Sequence, residues 1–356
     1  MFRPNETHHQ QDIFGIQTQL SPELWKRLCE SEEYAFYQEI FCRIPEEHFA
    51  DLYAESPATR PNVPVNRVVG AMILQHMNDW TFEELLDQDL DGVVIATPNC
   101  FHAEQSIAAL ERGMAVFCQK PLGRNASETR HIVAAARAAD RLLGVDLSYG
   151  AIPAMRAVSE FVESGELGKV FAIDAKFHNG YGPDKAWFRD FSLAGGGCVL
   201  DLGSHMLDLA LKPLGFPRVK RVQSSLFANG ESLGKGVAEV EDYGVAMIET
   251  EDGVVINLSC CWNMHIGREA DIEIAFYGTH GGAKLRNVDG SFYDFVGERF
   301  SGTKTEMLSS PEDAAWQWGG SATLEWVKRL SVDRRFDAEA ESFIGVAQVI
   351  DSIYGR

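Results

Sequence analysis

The spacing of apolar and polar positions divides the chain near Asp91. Before it, apolar residues recur at helical spacing in short runs broken by Ser, Thr and Pro. Ser21-Pro22 places a cap and a first-turn proline ahead of ELWKRLC, and Ile44-Pro45 opens EEHFADLY. Further on, VNRVVGAMILQHM (65–77) is apolar enough for a buried helix, and Thr81 with Glu84 makes a capping box for FEELLDQ. The pattern up to about residue 90 therefore predicts helices and no strand.

From Asp91 the period shortens. VVIA (93–96), MAVF (114–117) and LLGVDL (142–147) are short apolar runs separated by the helical stretches AEQSIAALERG and ASETRHIVAAARAAD. A β-α-β-α-β order of this kind predicts a parallel sheet with right-handed crossovers. After Gly150 comes a helix, AMRAVSEFVESG, and then the long alternating strands VFAIDAKFHN, VKRVQSSLFAN, DYGVAMIETEDGVVINLSCCW and DIEIAFYGTHGGAKL. Glu251-Asp252-Gly253 and GTHGG (278–282) read as hairpin turns between them. The strands from Val219 to Leu285 predict one open, mostly antiparallel sheet with an exposed apolar face, which in turn predicts a homo-oligomer.

Composition sharpens this only a little. With 45% hydrophobic and 24% charged residues the 356-residue chain can bury a sizeable core. The net charge of -20 is spread along it, 16 acidic against 6 basic residues up to Leu90 and 36 against 26 after it. Neither part is built to neutralise phosphates, which argues against nucleic acid or an anionic membrane as partner. Seven cysteines, an odd number with no C-x-x-C pair, argue against a disulfide framework and against a metal site, and fit a reducing cytoplasm. No run approaches ~18 apolar residues.

In an open parallel sheet, ligands bind beyond the carboxyl ends of the strands. Thr97-Pro98-Asn99, with His102 just after, follows the first apolar run, and Gln119-Lys120-Pro121 follows the second. Singly, each is ordinary turn chemistry. A third cluster lies in AGGGCVLDLGSHMLDLALKPLG, where Asp201, His205, Asp208 and Lys212 fall within about 40° of one another on a helix otherwise apolar. Periodicity alone favours a solvated stripe. Gly195-Gly196-Gly197 at the entrance favours a close approach to a ligand or another chain segment, and an aspartate one turn before a histidine can orient the imidazole for proton transfer. Neither a G-x-G-x-x-G turn nor a P-loop occurs anywhere in the chain.

Taken in order, DGVVIATPNCFHAEQSIAALERGMAVFCQKPLG, GELGKV, WFRDFSLAGGGCVLDLGSHMLDL, VEDYGVAMIETEDGV and VIDSIYGR resemble the Gfo/Idh/MocA oxidoreductases over about residues 91–356. The resemblance implies an NAD(P)-binding Rossmann domain followed by an α/β domain with a large open sheet, acting on sugars, cyclitols or related polyols. It implies that Thr97, Pro98, Asn99 and His102 line the nicotinamide side of the cofactor pocket, with Gln119, Lys120 and Pro121 in the family's Glu-Lys-Pro motif. Lys120 would contact substrate and cofactor, His205 would act as general base, and Asp201 would orient it or touch substrate. Trp187 and Asp190 match a Trp-x-x-Asp element beside the substrate.

Two departures stand out. Gln119 replaces the family's usual glutamate, and the first Rossmann strands with their glycine-rich turn have no counterpart before Asp91. Residues 1–88 instead resemble the helical N-terminal region of DDE-type transposases, through MFRPNE, IFCRIPEEHFADLYAE and RPNVPVNRVVGAMIL. The expected architecture is thus α/β: a helical segment (1–90), a truncated Rossmann-type parallel sheet (91–150), and an α/β substrate and oligomerisation domain with a large open, mostly antiparallel sheet (151–356). The expected activity is an NAD- or NADP-dependent dehydrogenase with weakened cofactor binding. The alternative is a non-catalytic gene fusion whose N-terminal helices are a transposase-derived module for binding DNA or a partner.

Overall fold

The computed structural model describes residues 90–310 apart from 235 and 237, residues 321–356, and Lys26. Met1–Gln88 and Asp89–Arg356 form separate compact units. The predicted N-terminal helices lie outside the described residues. Among those residues, no helix is long and apolar enough to cross a membrane.

The second unit opens with a three-stranded parallel sheet, β1 (Gly92–Ile95), β2 (Ala115–Cys118) and β3 (Leu143–Val145), in the order β1-β2-β3. Helices α1 (Asn99–Glu111) and α2 (Ala126–Ala139) make the crossovers. Strand β2 is buried along its whole length, as a central strand of a parallel sheet should be. Helix α1 starts four residues before the predicted AEQSIAALERG, because Pro98 takes the N-cap position and leaves Asn99 free to begin the first turn. Helix α2 begins where Asn125 caps it, the side chain accepting from the Glu128 N–H at 2.9 Å.

Helix α3 (Pro153–Glu163) leads into a nine-stranded sheet built from β4 (Val170–Asn179), β5 (Val219–Ala228), β6 (Glu231–Leu233), β7 (Tyr243–Thr250), β8 (Val255–Cys261), β9 (Ala270–Gly278), β10 (Gly282–Asn287), β11 (Phe295–Ser301) and β12 (Lys304–Ser309). Its order is β12-β11-β10-β9-β4-β8-β7-β5-β6. Every pairing is antiparallel except β4 with β8: the helical crossover from β4 leads to β5, and the antiparallel steps from β5 to β7 and from β7 to β8 bring β8 back beside β4 in the same direction. The two hairpin turns fall where predicted, between β7 and β8 and between β9 and β10.

One face of this sheet carries Ile173, Ala175 and Phe177 from β4, Ile256 and Leu258 from β8, and Ile272, Ile274 and Phe276 from β9, all buried. Packed on the sheet are α3 against β10, β11 and β12, α5 (Ser204–Leu211) against β4, β8 and β9, and the C-terminal helix α7 (Ser342–Tyr354) against β5. The opposite face leaves Phe171, Val245, Met247, Tyr277 and Met307 partly exposed. Helix α6 (Ser321–Val332) lies on the small parallel sheet, with Trp326 against Phe117 at 5.6 Å between ring centroids. A Cβ at Gly144 would stand 2.6 Å from Trp326, so that position must remain glycine for the helix to seat.

Phe276, wholly buried at the centre of the large sheet, tests this core. Phe276→Ala should cost about 3–5 kcal/mol, read as a lower urea midpoint with an unchanged slope.

Candidate active site

The two polar loops after β1 and β2 are locked to each other by His102. Its ring is fully buried, with Nδ1 2.7 Å from the Pro121 carbonyl and Nε2 2.8 Å from the Thr97 carbonyl. Only an imidazolium could donate to both, and burial holds the pKa of this ring below its ordinary value. The neutral ring donates to one of the two carbonyls, and His102 lies wholly buried between the loops and not on a pocket wall. Thr97 donates its hydroxyl to Gln105 at 2.7 Å, and Asn99, almost wholly buried, donates to the Ala194 carbonyl at 2.8 Å. That last bond ties the first loop to α4 (Phe191–Ala194), the short helix ahead of the glycine triplet.

The second loop brings Lys120 onto Asp201. The Lys120 ammonium donates to the Asp201 carbonyl oxygen at 2.9 Å and forms an ion pair with its Oδ1, both side chains being largely withdrawn from water. Asp201 Oδ2 accepts from the Trp262 indole N–H at 3.0 Å. Each carboxylate oxygen thus has a donor, which offsets the cost of burying the charge. The Lys120–Pro121 peptide bond is cis.

Gln119 points away from this pair. Its amide donates to Asp146 Oδ2 at 2.7 Å, and burial raises the Asp146 pKa against that hydrogen bond. A glutamate at 119 would set two carboxylates against each other here, so the departure from the usual Glu-Lys-Pro motif is matched by an acid on the neighbouring strand end.

The predicted helix carrying Asp201 and His205 begins instead as a π-helical turn, Val199–Gly203, before continuing as α5. Such turns widen the local spacing and cluster at functional sites. The reading of a solvated stripe fails: Asp201, His205 and Asp208 are each 6% exposed, and only Lys212 reaches solvent. The His205 ring meets the edge of Tyr149 at 4.9 Å between centroids and lies 6.5 Å from Phe177. Both aromatic rings confine the imidazole, four residues beyond Asp201 in the chain.

Trp187 stacks on Phe188 at 3.8 Å, and Phe188 in turn meets Trp262 edge-on at 6.2 Å. Asp190 is exposed and caps α4, accepting from the Ser192 N–H at 2.8 Å and its hydroxyl at 2.6 Å. Its pKa is held down by those bonds. The structure thus brings Lys120 onto Asp201, sets His205 one helical turn further along the same helix against Tyr149, reaches Trp187 through two aromatic contacts, and leaves Asp190 in a capping role.

Sequence reasoning missed four residues here. Trp262, just past the end of β8, and Tyr149, in the 3-10 turn Ser148–Ala151, bind the cluster from positions that carry no local signal. The other two, Glu241 and Tyr354, hold the glycine entrance. Buried Glu241 accepts from the Gly197 N–H at 2.9 Å, the Val199 N–H at 2.9 Å and the Tyr354 hydroxyl at 2.8 Å. The same hydroxyl accepts from Gly197 and Leu200 N–H groups, each at 3.2 Å. Burial pushes the Glu241 pKa up to about 7 while these donors pull it down. A Cβ at Gly197 would fall 1.8 Å from the Glu241 carbonyl oxygen, which is why the entrance needs glycine. Their only sequence signal was membership in the VEDYG and SIYGR blocks.

Fold and site together define an α/β protein in which polar loops at the ends of a parallel sheet meet a helix lying on a large open sheet. Residues 34–147 match the family described as "Oxidoreductase family, NAD-binding Rossmann fold", and residues 155–284 match the GFO/IDH/MocA C-terminal domain. The chain therefore belongs to the GFO/IDH/MocA oxidoreductase family. The first match begins at residue 34, upstream of the strand pattern that starts at Asp91.

Among curated relatives, the chain is 31% identical over 205 residues to D-glucoside 3-dehydrogenase of Escherichia coli (strain K12), covering 55% of this chain and 58% of that protein. It is 29% identical over 224 residues to levoglucosan dehydrogenase of Pseudarthrobacter phenanthrenivorans, covering 57% of each. The chain thus spans less than two thirds of these relatives. A solved structure of levoglucosan dehydrogenase in complex with NADH and L-sorbose superposes with a TM-score of 0.63 at 21% identity, over 77% of this chain and 80% of that one. At that identity the likeness is one of fold.

The Glu241–Tyr354 clamp yields a direct test. Tyr354→Phe should cost about 1–3 kcal/mol in chemical denaturation, because the buried Leu200 N–H loses its acceptor and Glu241 Oε1 loses one of its two donors. Glu241→Gln should cost more, since an amide NH₂ would face a backbone N–H that now donates.

Proposed function

We propose that this chain is an NAD(P)-dependent oxidoreductase that acts on a hydroxyl of a sugar, cyclitol or polyol, with cofactor binding weakened by the lack of a glycine-rich turn. The observation that carries the reading is the buried Lys120–Asp201 ion pair, its aspartate four residues ahead of buried His205 and its lysine just past the carboxyl end of β2, where a parallel sheet binds its ligands. In this reading residues 91–150 are the C-terminal half of the cofactor domain and residues 151–356 the substrate and oligomerisation domain.

The residues present suit the nicotinamide end of the cofactor. Thr97, Pro98, Asn99, Gln119, Lys120 and Pro121 form the two strand-end loops, and His102 holds those loops in register. NAD(P), when bound, supplies the hydride acceptor or donor. The substrate hydroxyl would sit between Lys120 and His205. Lys120 would donate to its oxygen and steady the developing alkoxide, His205 would take its proton, and Asp201 would hold the Lys120 ammonium in place against Trp262. Trp187, through Phe188, would close the sugar side of the pocket, with Asp190 fixing the short helix at its edge.

Pyrophosphate affinity in such folds comes from backbone N–H groups of a glycine-rich turn and the following helix, and ribose affinity from an acidic side chain. The chain carries no G-x-G-x-x-G. Loss of two charge-assisted hydrogen bonds, at ~1.5–3 kcal/mol each, weakens binding by a hundredfold or more. Titration of NADH fluorescence against the purified chain should accordingly give a dissociation constant at least ~100-fold above that of a full-length relative. His205→Asn should leave that constant unchanged and lower any residual turnover by ~10²–10⁴-fold. A low-micromolar constant would instead assign pyrophosphate binding to residues 34–88.

The partly apolar outer face of the nine-stranded sheet supports a homo-oligomer built through it. Light scattering should return at least a dimer at micromolar concentration, and Met247→Lys with Met307→Lys should shift it toward monomer.

A further inference from the structure

A second cavity, of about 170 Å³, lies between the β2–β3 end of the parallel sheet, the carboxyl end of α5, and α6. Its floor includes Asp208, one helical turn beyond His205, and its walls include the rings of Phe117, Phe216, Trp326 and Phe343. Lys120, Asp201 and His205 do not line it. The proposed oxidoreductase chemistry makes no use of it.

The charges around this cavity are unevenly matched. Lys212 pairs with Glu339 at 2.7 Å, Arg329 pairs with Asp337 and Glu339, and Glu325 pairs with Arg156. Asp208 is left over. At 6% exposure its carboxyl takes no hydrogen bond and no ion pair among the described residues, although Lys212 acts on it through space. Four carboxylates and two cations thus line one aromatic-walled space, and the buried acid is the unmatched member. Gly150 keeps the room beside it open, since a Cβ there would stand 3.8 Å from Asp208 Oδ2.

We propose that this cavity binds a small aliphatic ammonium ion, its nitrogen on Asp208 and its alkyl part against Trp326 and Phe343. A buried carboxyl facing only a through-space cation lacks the partner that buried charges ordinarily have, and an ammonium supplies one. Aromatic ring faces add attraction for a cation withdrawn from water. An anion would meet a surplus of carboxylates, and a neutral hydrocarbon would leave Asp208 as unmatched as before. An engineered cavity of roughly 150 Å³ holds benzene, so the space suits a molecule of about six heavy atoms. Burial, reinforced by Glu339 and opposed by Lys212, pushes the Asp208 pKa up to about 7, and a bound ammonium would draw it back down.

The test titrates the purified full chain at pH 8 with n-butylammonium chloride, following tryptophan fluorescence and calorimetric heat, with 1-butanol as the neutral probe of matching shape. Saturable butylammonium binding in the millimolar range or tighter, at least tenfold stronger than butanol and weakened at least tenfold in Asp208→Asn, is the expected result. Asp208→Asn should fold, because it removes a buried acid and keeps its shape, and thermal melting checks this. The butylammonium-to-butanol ratio on the unaltered chain decides the question whether or not the variant folds. No saturable butylammonium binding, equal affinity for butanol, or full affinity in a folded Asp208→Asn would each overturn the proposal.

Discussion

The ion pair between Lys120 and Asp201 is the contact on which the arrangement of the site depends. It joins a loop at the end of the small parallel sheet to a helix that belongs to the large open one, and both side chains are mostly withdrawn from water. A buried pair gains from its own attraction only where further hydrogen bonds satisfy the remaining donors and acceptors. Trp262 supplies that bond from the end of β8, and the Asp201 carbonyl takes a second hydrogen of the ammonium. Breaking such a pair by removing one partner typically costs ~3–5 kcal/mol, because the survivor remains buried. The pair therefore constrains sheet, loop and helix at once.

The helix could not present Asp201 in this way without its irregular start. The π-turn at Val199–Gly203 follows three glycines, and the entrance is pinned by Glu241 and Tyr354 from two distant elements. Arg356 adds to the same junction, donating to the Gly195 carbonyl at 2.9 Å and the Arg124 carbonyl at 2.8 Å. The last residues of the chain thus hold together the loop bearing Lys120 and the turn bearing Asp201. Backbone strain at the entrance is relieved by small residues, and its orphan N–H groups are satisfied by one buried carboxylate and one hydroxyl.

Much of this was legible in the chain itself. Strands β1 to β3, helix α2, the span of β4 and both hairpin turns follow from periods of two and 3.6 residues and from Asn, Asp and Gly at the turns. The ordered motifs led to Thr97, Lys120, Asp201 and His205, and to the family. Local pattern carries this information because strand alternation, capping and turn chemistry are decided within a few residues.

Tertiary structure alone decided the rest. Period alone read Asp201, His205 and Asp208 as a solvated stripe, yet they are buried, since burial depends on what packs against a helix and periodicity only says which residues share a side. Gln119 looked like a lost charge until Asp146 lay beside it. Trp262, Glu241 and Tyr354 stand 61, 44 and 157 residues from the groups they bind, too far for any local spacing to signal. Sequence determined the parallel strands, the long strands up to Leu285 and the residue types of the site, but not β6, β11, β12 or α6; the pairing of charges and orphan N–H groups across those separations was settled only when sheets and helices packed and water was excluded from between them.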